Sequence, residues 1–306
     1  MKFASPLTLL VLVAGSAHGS TIISPSDDPS ISDQSYRDAA LPFTSVGTVN
    51  GSGFNGSGVL IGDRWVLTAG HVAQSKTGGS YTIGGQSYTI GSSIVHPSFN
   101  NSGPFSDLGL LFLDRSVSGI SPAEMRDLGS ATSILGREAI WTGIGFGGNG
   151  ETGYQLSGAT LALRAFTNVI DVLGDHPDYE GLPSTSFISD FDRPGDASTN
   201  APASDALATA LEGNVAPGDS GGGVFIEYNG GYYLAGVNSY TGYLDANPAG
   251  ANSRYGGLSG ATNLELFHQW IFDETGIAAV PEPSSSALIF ISAMMLSLRR
   301  RNRRGV

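Results

Sequence analysis

The chain of 306 residues contains no cysteine. That absence excludes disulfides, a thiolate nucleophile and the cysteine-rich type of structural zinc site. Positive charge is scarce in the body of the chain. Nine basic and 26 acidic residues lie between positions 20 and 280, a net charge of −17. Such a surface repels a phosphate backbone, so nucleic acid is excluded as a partner. Long periodic helical stretches are also few. What is abundant is glycine, with 44 residues, about twice the usual share of ~7%. Together these features describe a turn-rich, mainly β protein large enough to bury a sizeable core. Gly143-Ile144-Gly145-Phe146-Gly147-Gly148 has the spacing of a dinucleotide-binding loop, but no helix pattern or downstream acidic partner accompanies it.

The two ends read as addresses. Residues 1–19 combine Lys2, an apolar run from Leu7 to Ala14, and the small residues Gly15, Ser16, Ala17 and Gly19. That is the layout of a secretory signal peptide, cleaved within the stretch Ala17 to Ser20. At the other end Pro281-Glu282-Pro283 precedes an apolar stretch, Ala287 to Leu298, and the arginines 299–301, 303 and 304. Twelve residues of helix span about 18 Å, short of a ~30 Å hydrocarbon core, so a permanent span is disfavoured. The arginines would stay on the cytoplasmic side. This layout resembles the PEP-CTERM sorting signals of Gram-negative bacteria. The resemblance implies export and sorting machinery as partners, transient association with the inner membrane, and a destination outside the cell or at its surface.

Between the ends, short apolar runs alternate with Gly, Ser and Asn clusters at the spacing of a β barrel or sandwich. They include Gly58 to Ile61, Trp65 to Thr68, Leu108 to Leu113, Leu161 to Phe166, Val224 to Tyr228 and Tyr232 to Val237. Residues 20–40, rich in Ser, Asp and Pro, read as a loose leader, 41–277 as the folded domain, and 278–306 as the sorting segment. Residues 174–205, with their prolines and acids, read as a surface insertion. A C-terminal helix is expected where Leu264, Phe267, Trp270 and Ile271 recur at helical spacing, opened by a capping box of Thr262 and Glu265.

The chemistry concentrates in three segments. In Gly218-Asp219-Ser220-Gly221-Gly222-Gly223 the glycines let the backbone fold tightly and aim several N–H groups into one hollow. Such a hollow can hold an oxyanion, and a serine at its rim can be a nucleophile if a histidine serves as its base. His71, after the apolar run Trp65 to Thr68, is the best-placed histidine. A buried carboxylate would fix its tautomer, and Asp107, opening the run Leu108 to Leu113, is the best candidate. Asp190, Asp192 and Asp196 are candidate oxygen ligands for a structural calcium ion; no other cofactor or metal is expected.

The segments Leu67-Thr68-Ala69-Gly70-His71, Ser106-Asp107-Leu108-Gly109-Leu110-Leu111 and Gly218-Asp219-Ser220-Gly221-Gly222 resemble, in order, the three catalytic motifs of the trypsin/chymotrypsin-like serine peptidases. The resemblance covers about residues 41–277. It implies an all-β fold of two six-stranded antiparallel β-barrels with a C-terminal helix. It also implies endopeptidase activity on protein or peptide substrates, with His71, Asp107 and Ser220 as the triad. The N–H groups of Gly218 and Ser220 would form the oxyanion hole. Ser239 would sit near Asp107, Tyr240 would flank the primary pocket, and Thr241 would lie in the strand that pairs with an extended peptide. Asn214 would stand at the base of that pocket, where its neutral amide offers no anchor for Lys or Arg. In the family the residue at Asp219 often pairs with a newly freed N-terminal ammonium. No Arg or Lys followed by Ile-Val is present here, and Tyr36-Arg37-Asp38-Ala39 is the nearest processing candidate. Two other functions fit the same residues: a catalytically silent surface or matrix binding protein, and an esterase using the same triad.

Overall fold

The computed structural model describes residues 7–12, 20–100, 105–130, 133–156, 162–204, 207–244 and 248–281. The first half is a closed six-stranded barrel. Its strands are β1 (Val46–Asn50), β2 (Gly56–Leu60), β3 (Trp65–Thr68), β4 (Ser80–Ile83), β5 (Gln86–Val95) and β6 (Gly109–Leu113), paired antiparallel in the order β1-β2-β3-β6-β5-β4. Val49, Val59, Leu67, Ile90 and Leu110 are wholly buried in its core. Closure leaves no free strand edge, which suits a chain with no disulfides to restrain it.

The second half is built from β7 (Glu138–Gly143), β8 (Arg164–Val169), β9 (Val172–Leu173), β10 (Ser186–Asp190), β11 (Gly223–Tyr228), β12 (Gly231–Leu244) and β13 (Gly257–Asn263). These form one sheet in the order β8-β7-β11-β12-β13-β10-β9. The second closed barrel expected from the family resemblance is not found among the described residues. The outer edge of β8 is taken instead by the chain at 211–212, through the Thr167 N–H to the Leu211 carbonyl at 2.9 Å and a bridge to Glu212. Leu7–Leu12 also lies on this sheet, antiparallel to β12, with Leu12 opposite Thr241 and Leu9 opposite Leu244.

Residues 20–40 are not a loose leader. Thr21–Ile22 pairs with Gly213–Asn214 and with Gly148–Asn149, and Ser20 through Ser24 are buried. Helix α1 (Asp33–Ala39) follows, opened by a capping box between Ser32 and Ser35. Its Tyr36 is fully buried, accepting the Ile23 N–H and donating to the Glu212 carbonyl. The segment 174–205 is not wholly a surface insertion either, because every residue of β10 is buried and paired with β13.

The chain closes on α3 (His268–Thr275), preceded by a 3₁₀ turn at Leu264–Leu266. Thr262 does not cap it. Thr262 belongs to β13, and Asn263 caps the turn by accepting the Glu265 N–H. No described helix is long and apolar enough to cross a membrane. Glu282, Pro283, the apolar stretch after them and the terminal arginines lie outside the described residues, as do 1–6, 13–19 and Leu161.

Candidate active site

His71 and Asp107 meet because their strands are neighbours. Thr68 at the end of β3 pairs with Gly109 at the start of β6, so the residues beyond those ends share one rim of the barrel. His71 sits in the single-turn helix α2 (Gly70–Ala73). Asp107, 1% exposed, accepts the His71 backbone N–H on Oδ1 at 2.8 Å and faces the ring Nδ1 with Oδ2 at 2.8 Å. The Ser239 hydroxyl donates to the same Oδ2 at 2.5 Å, and Thr262 donates to the Asp107 carbonyl at 3.0 Å. Burial alone would push the Asp107 carboxyl up. The charge of His71 and the bonds from His71 and Ser239 outweigh burial and hold it below the usual carboxylate range. An ionised Asp107 on Nδ1 fixes the proton there and leaves Nε2 as the basic nitrogen. Phe54 meets the ring edge-on at 6.0 Å.

Ser239 reaches Asp107 because β12 carries an irregularity there. The pairing with β13 shifts register between Asn238 and Tyr240, leaving Ser239 as the extra residue. A bulge of this kind re-aims one side chain without breaking the strand.

Ser220 is carried on a loop clamped between the two halves. Its carbonyl accepts the Ser57 N–H at 2.8 Å, while the Ser57 hydroxyl donates to the Gly218 carbonyl at 3.0 Å. The loop requires glycine at two points. Gly218 has φ +94°, and Gly221 has φ +88°, where a Cβ would lie 2.1 Å from both the Ser57 carbonyl oxygen and Thr68 Oγ1. The N–H groups of Asp219, Gly221 and Gly222 donate to the carbonyls of Ala216, Asn238 and Asp219. Those of Gly218 and Ser220 donate to no acceptor among the described residues. Two free amides flanking a half-buried serine form a ready site for negative charge. Ser220 Oγ and His71 Nε2 are not hydrogen-bonded here, a common state of such pairs without substrate.

Behind the loop, Asp219 is fully buried. One oxygen accepts the Ala216 N–H at 2.9 Å and the Ser20 hydroxyl at 3.0 Å, and Oδ1 has no hydrogen-bond partner. Burial pushes its carboxyl up to about 7, against the lowering effect of those two bonds and the Arg164 charge. Nothing in the composition of Ser20 marks it as a core residue. The one available signal is its place just after the small residues Gly15, Ser16, Ala17 and Gly19. Tyr36-Arg37, the nearest processing candidate, lies inside α1 with Tyr36 in the core.

A small cavity of about 10 Å³ lies between Val215–Pro217 and Ser239–Thr241, with Ser220 at its mouth. That is room for roughly one water molecule. Thr241 closes one wall, its hydroxyl bonded to the Leu258 carbonyl at 3.3 Å and paired with the Ser253 hydroxyl at 3.2 Å. The Tyr240 ring is buried against Gly260 and its hydroxyl meets that of Ser186 at 3.1 Å, so the side chain belongs to the core. Asn214 is not among the cavity's walls. It is wholly buried, its amide oxygen accepting from Ser259 and its Nδ2 turned toward Gly257.

Asp190, Asp192 and Asp196 do not converge on a common point among the described residues. Asp190 accepts the Ala201 N–H and the Ser204 hydroxyl, while Asp196 caps its own turn through Ser198.

The sequence model of the Trypsin family matches residues 31–179, a span that holds His71 and Asp107 and ends before Ser220. Mouse kallikrein-8 is 32% identical over 99 residues, 29% of this chain and 38% of kallikrein-8. The chain thus spans well under half the length of that relative in the match. Among solved structures, mouse neuropsin, a serine protease expressed in the limbic system of the brain, aligns with a TM-score of 0.52 at 20% identity. That alignment covers 76% of this chain and 94% of neuropsin, which shows the fold. These matches show similarity to trypsin-family serine proteases over part of the chain, together with a shared fold.

Proposed function

We propose that this chain is an exported serine endopeptidase that cleaves peptide bonds through Ser220, His71 and Asp107. Ser220 Oγ attacks the scissile carbonyl while His71 Nε2 takes its proton. Asp107 keeps the other proton on Nδ1 and stabilises the imidazolium. The N–H groups of Gly218 and Ser220 hold the oxyanion of the tetrahedral intermediate. Its collapse passes the proton from Nε2 to the leaving amine and leaves an acyl ester on Ser220. Water, activated by the same nitrogen, then hydrolyses that ester. The observation that carries this reading is the grip of one buried carboxylate on both the ring and the backbone of His71.

Substrate would lie extended along β12, where the backbone edge at Thr241–Leu244 already accepts the antiparallel Leu9–Leu12 of the uncleaved chain. Removal of the signal peptide, residues 1–19, would free that edge. It would also make Ser20 the first residue if the cut falls after Gly19. The new α-ammonium, three covalent bonds from the Ser20 hydroxyl, would then be available to the unpaired oxygen of Asp219. The small cavity favours a small uncharged side chain at the primary position. The leader and the Pro-Glu-Pro tail support export and sorting in a Gram-negative bacterium, and mass spectrometry of the exported protein would give both mature ends.

A fluorophosphonate probe tests the chemistry. The mature chain should be labelled and Ser220→Ala should not. A catalytically silent relative is the alternative. Absence of labelling in folded, leader-free protein would establish that reading instead. Turnover of simple esters with no cleavage in a mixed peptide library would establish the esterase.

A further inference from the structure

We propose that Asp127, Glu265 and His268 form a binding site for a divalent transition cation, zinc by preference, at the point where the C-terminal segment leaves the domain. Each side chain offers one ligand atom, and the three atoms lie within 4.8 Å of one another. Glu265 lies in the 3₁₀ turn Leu264–Leu266 and His268 opens α3, and the change of direction at Phe267 brings the two side chains together. Asp127 comes from the short strand Arg126–Asp127.

The donor set is mixed, and its nitrogen is the telling member. His268 Nε2 is sealed from solvent and has no hydrogen-bond partner. In the neutral imidazole one ring nitrogen is an acceptor, and a metal ion would use that lone pair. The carboxylates are already oriented by backbone amides. Glu265 accepts the Leu128 N–H on both oxygens at 3.3 and 3.1 Å, and Asp127 Oδ1 accepts the Gly129 N–H at 2.8 Å. Asp127 keeps acceptor capacity for an ion.

One imidazole and two carboxylates leave a fourth tetrahedral position for water, which suits zinc. Calcium takes six to eight oxygens, more than these side chains supply. Tetrahedral zinc at ~2.0 Å places its ligands about 3.3 Å apart, so atoms lying within 4.8 Å of one another close by at most about 1.5 Å. Asp127 is exposed and free to make that adjustment. The location gives the ion a role. Arg126–Asp127 pairs in parallel with Val280–Pro281, whose first N–H reaches the Met125 carbonyl at 2.8 Å. An ion on Asp127 and α3 would pin the strand on which the tail is seated, whether or not Ser220 is catalytic.

The test is metal binding by the full chain, purified without an affinity tag. After equilibration with zinc and dialysis, elemental analysis should find one zinc per chain, and thermal unfolding should shift upward. Cobalt should give the visible absorption of a four-coordinate site, and calcium should produce neither effect. His268→Gln and Asp127→Asn should each weaken zinc binding by more than about 100-fold, beyond what loss of an outer-shell partner does. His176→Gln should bind as wild type does. Zinc binding unchanged in folded His268→Gln or Asp127→Asn would overturn the proposal. So would zinc retention below one per chain, or a calcium effect equal to that of zinc. Because Asp127 is exposed, its variant keeps the test decisive even if His268→Gln fails to fold.

Discussion

Asp107 accepts three hydrogen bonds with two oxygens, and the Ser239 hydroxyl supplies the shortest of them at 2.5 Å. A hydrogen bond to a charged group contributes about 1.5–3 kcal/mol, and each ~1.4 kcal/mol is tenfold in rate. Ser239→Ala should therefore lower kcat about tenfold with KM nearly unchanged, since the hydroxyl holds the base rather than the substrate. Steady-state kinetics on a cleaved peptide checks this, and a change confined to KM would contradict it. Ser20 is the second telling residue. A chain starting at Ser20 should react with fluorophosphonate roughly 100-fold faster than one carrying an extra alanine before it, because a displaced ammonium leaves Asp219 buried without a cation. Labelling rates of the two chains, with N-terminal mass confirmed, give the answer.

At the scale of elements, three of the six strands of the first barrel are legible because apolar residues dominate them, whereas Ser80–Ile83 and Gln86–Val95 are too polar to stand out. Gly58 to Ile61, Trp65 to Thr68 and Leu108 to Leu113 all lie in or against β2, β3 and β6. The N-terminal segment was not legible, for a physical reason. Ser20, Thr21 and Ser24 are buried as polar groups paired to Asp219, Ser253 and Tyr255, and hydrogen bonding of this kind leaves no hydrophobic signal. In Ser186–Asp190 the two core residues Phe187 and Ile188 are flanked by buried Ser186, Ser189 and Asp190, which shortens the apolar run to two. The pairing of His71 with Asp107 could be anticipated from local motifs, whereas the wall formed by Thr241 depends on its bonds to Leu258 and Ser253 across the sheet. That wall makes a prediction. Thr241→Gly should enlarge the primary cavity and shift cleavage from small residues toward Leu and Phe in a mixed peptide library. An unchanged preference would show that another element sets specificity.

Across the whole molecule, acidic groups are divided between two opposite fates. Asp107 is held ionised, so its contribution to stability is lost as pH falls through its lowered folded value. Asp171 and Asp190 behave the other way. They are packed together, with the Ser204 hydroxyl directed at both and the Asp190 N–H on Asp171 at 3.2 Å. Burial first, then the Asp190 charge, pushes the Asp171 carboxyl up to about 8, and burial raises Asp190 as well. Asp192 is pushed up to about 7 by burial and by Asp190, and burial raises Glu212 well above its ordinary value. In the fold these groups keep protons that the unfolded chain has released above about pH 4. The unfolded state then binds fewer protons, so stability is fully present below about pH 4 and declines as pH rises through the folded values near 7 and 8. Thermal unfolding of Ser220→Ala, which removes self-digestion, should show a midpoint that falls between pH 5 and pH 9. Asp171→Asn in that background replaces the protonated acid by a neutral amide of the same shape and should flatten the decline above pH 7. A midpoint that rises over that range, or a slope untouched by Asp171→Asn, would mean that this acidic pocket is hydrated or neutralised by a bound cation.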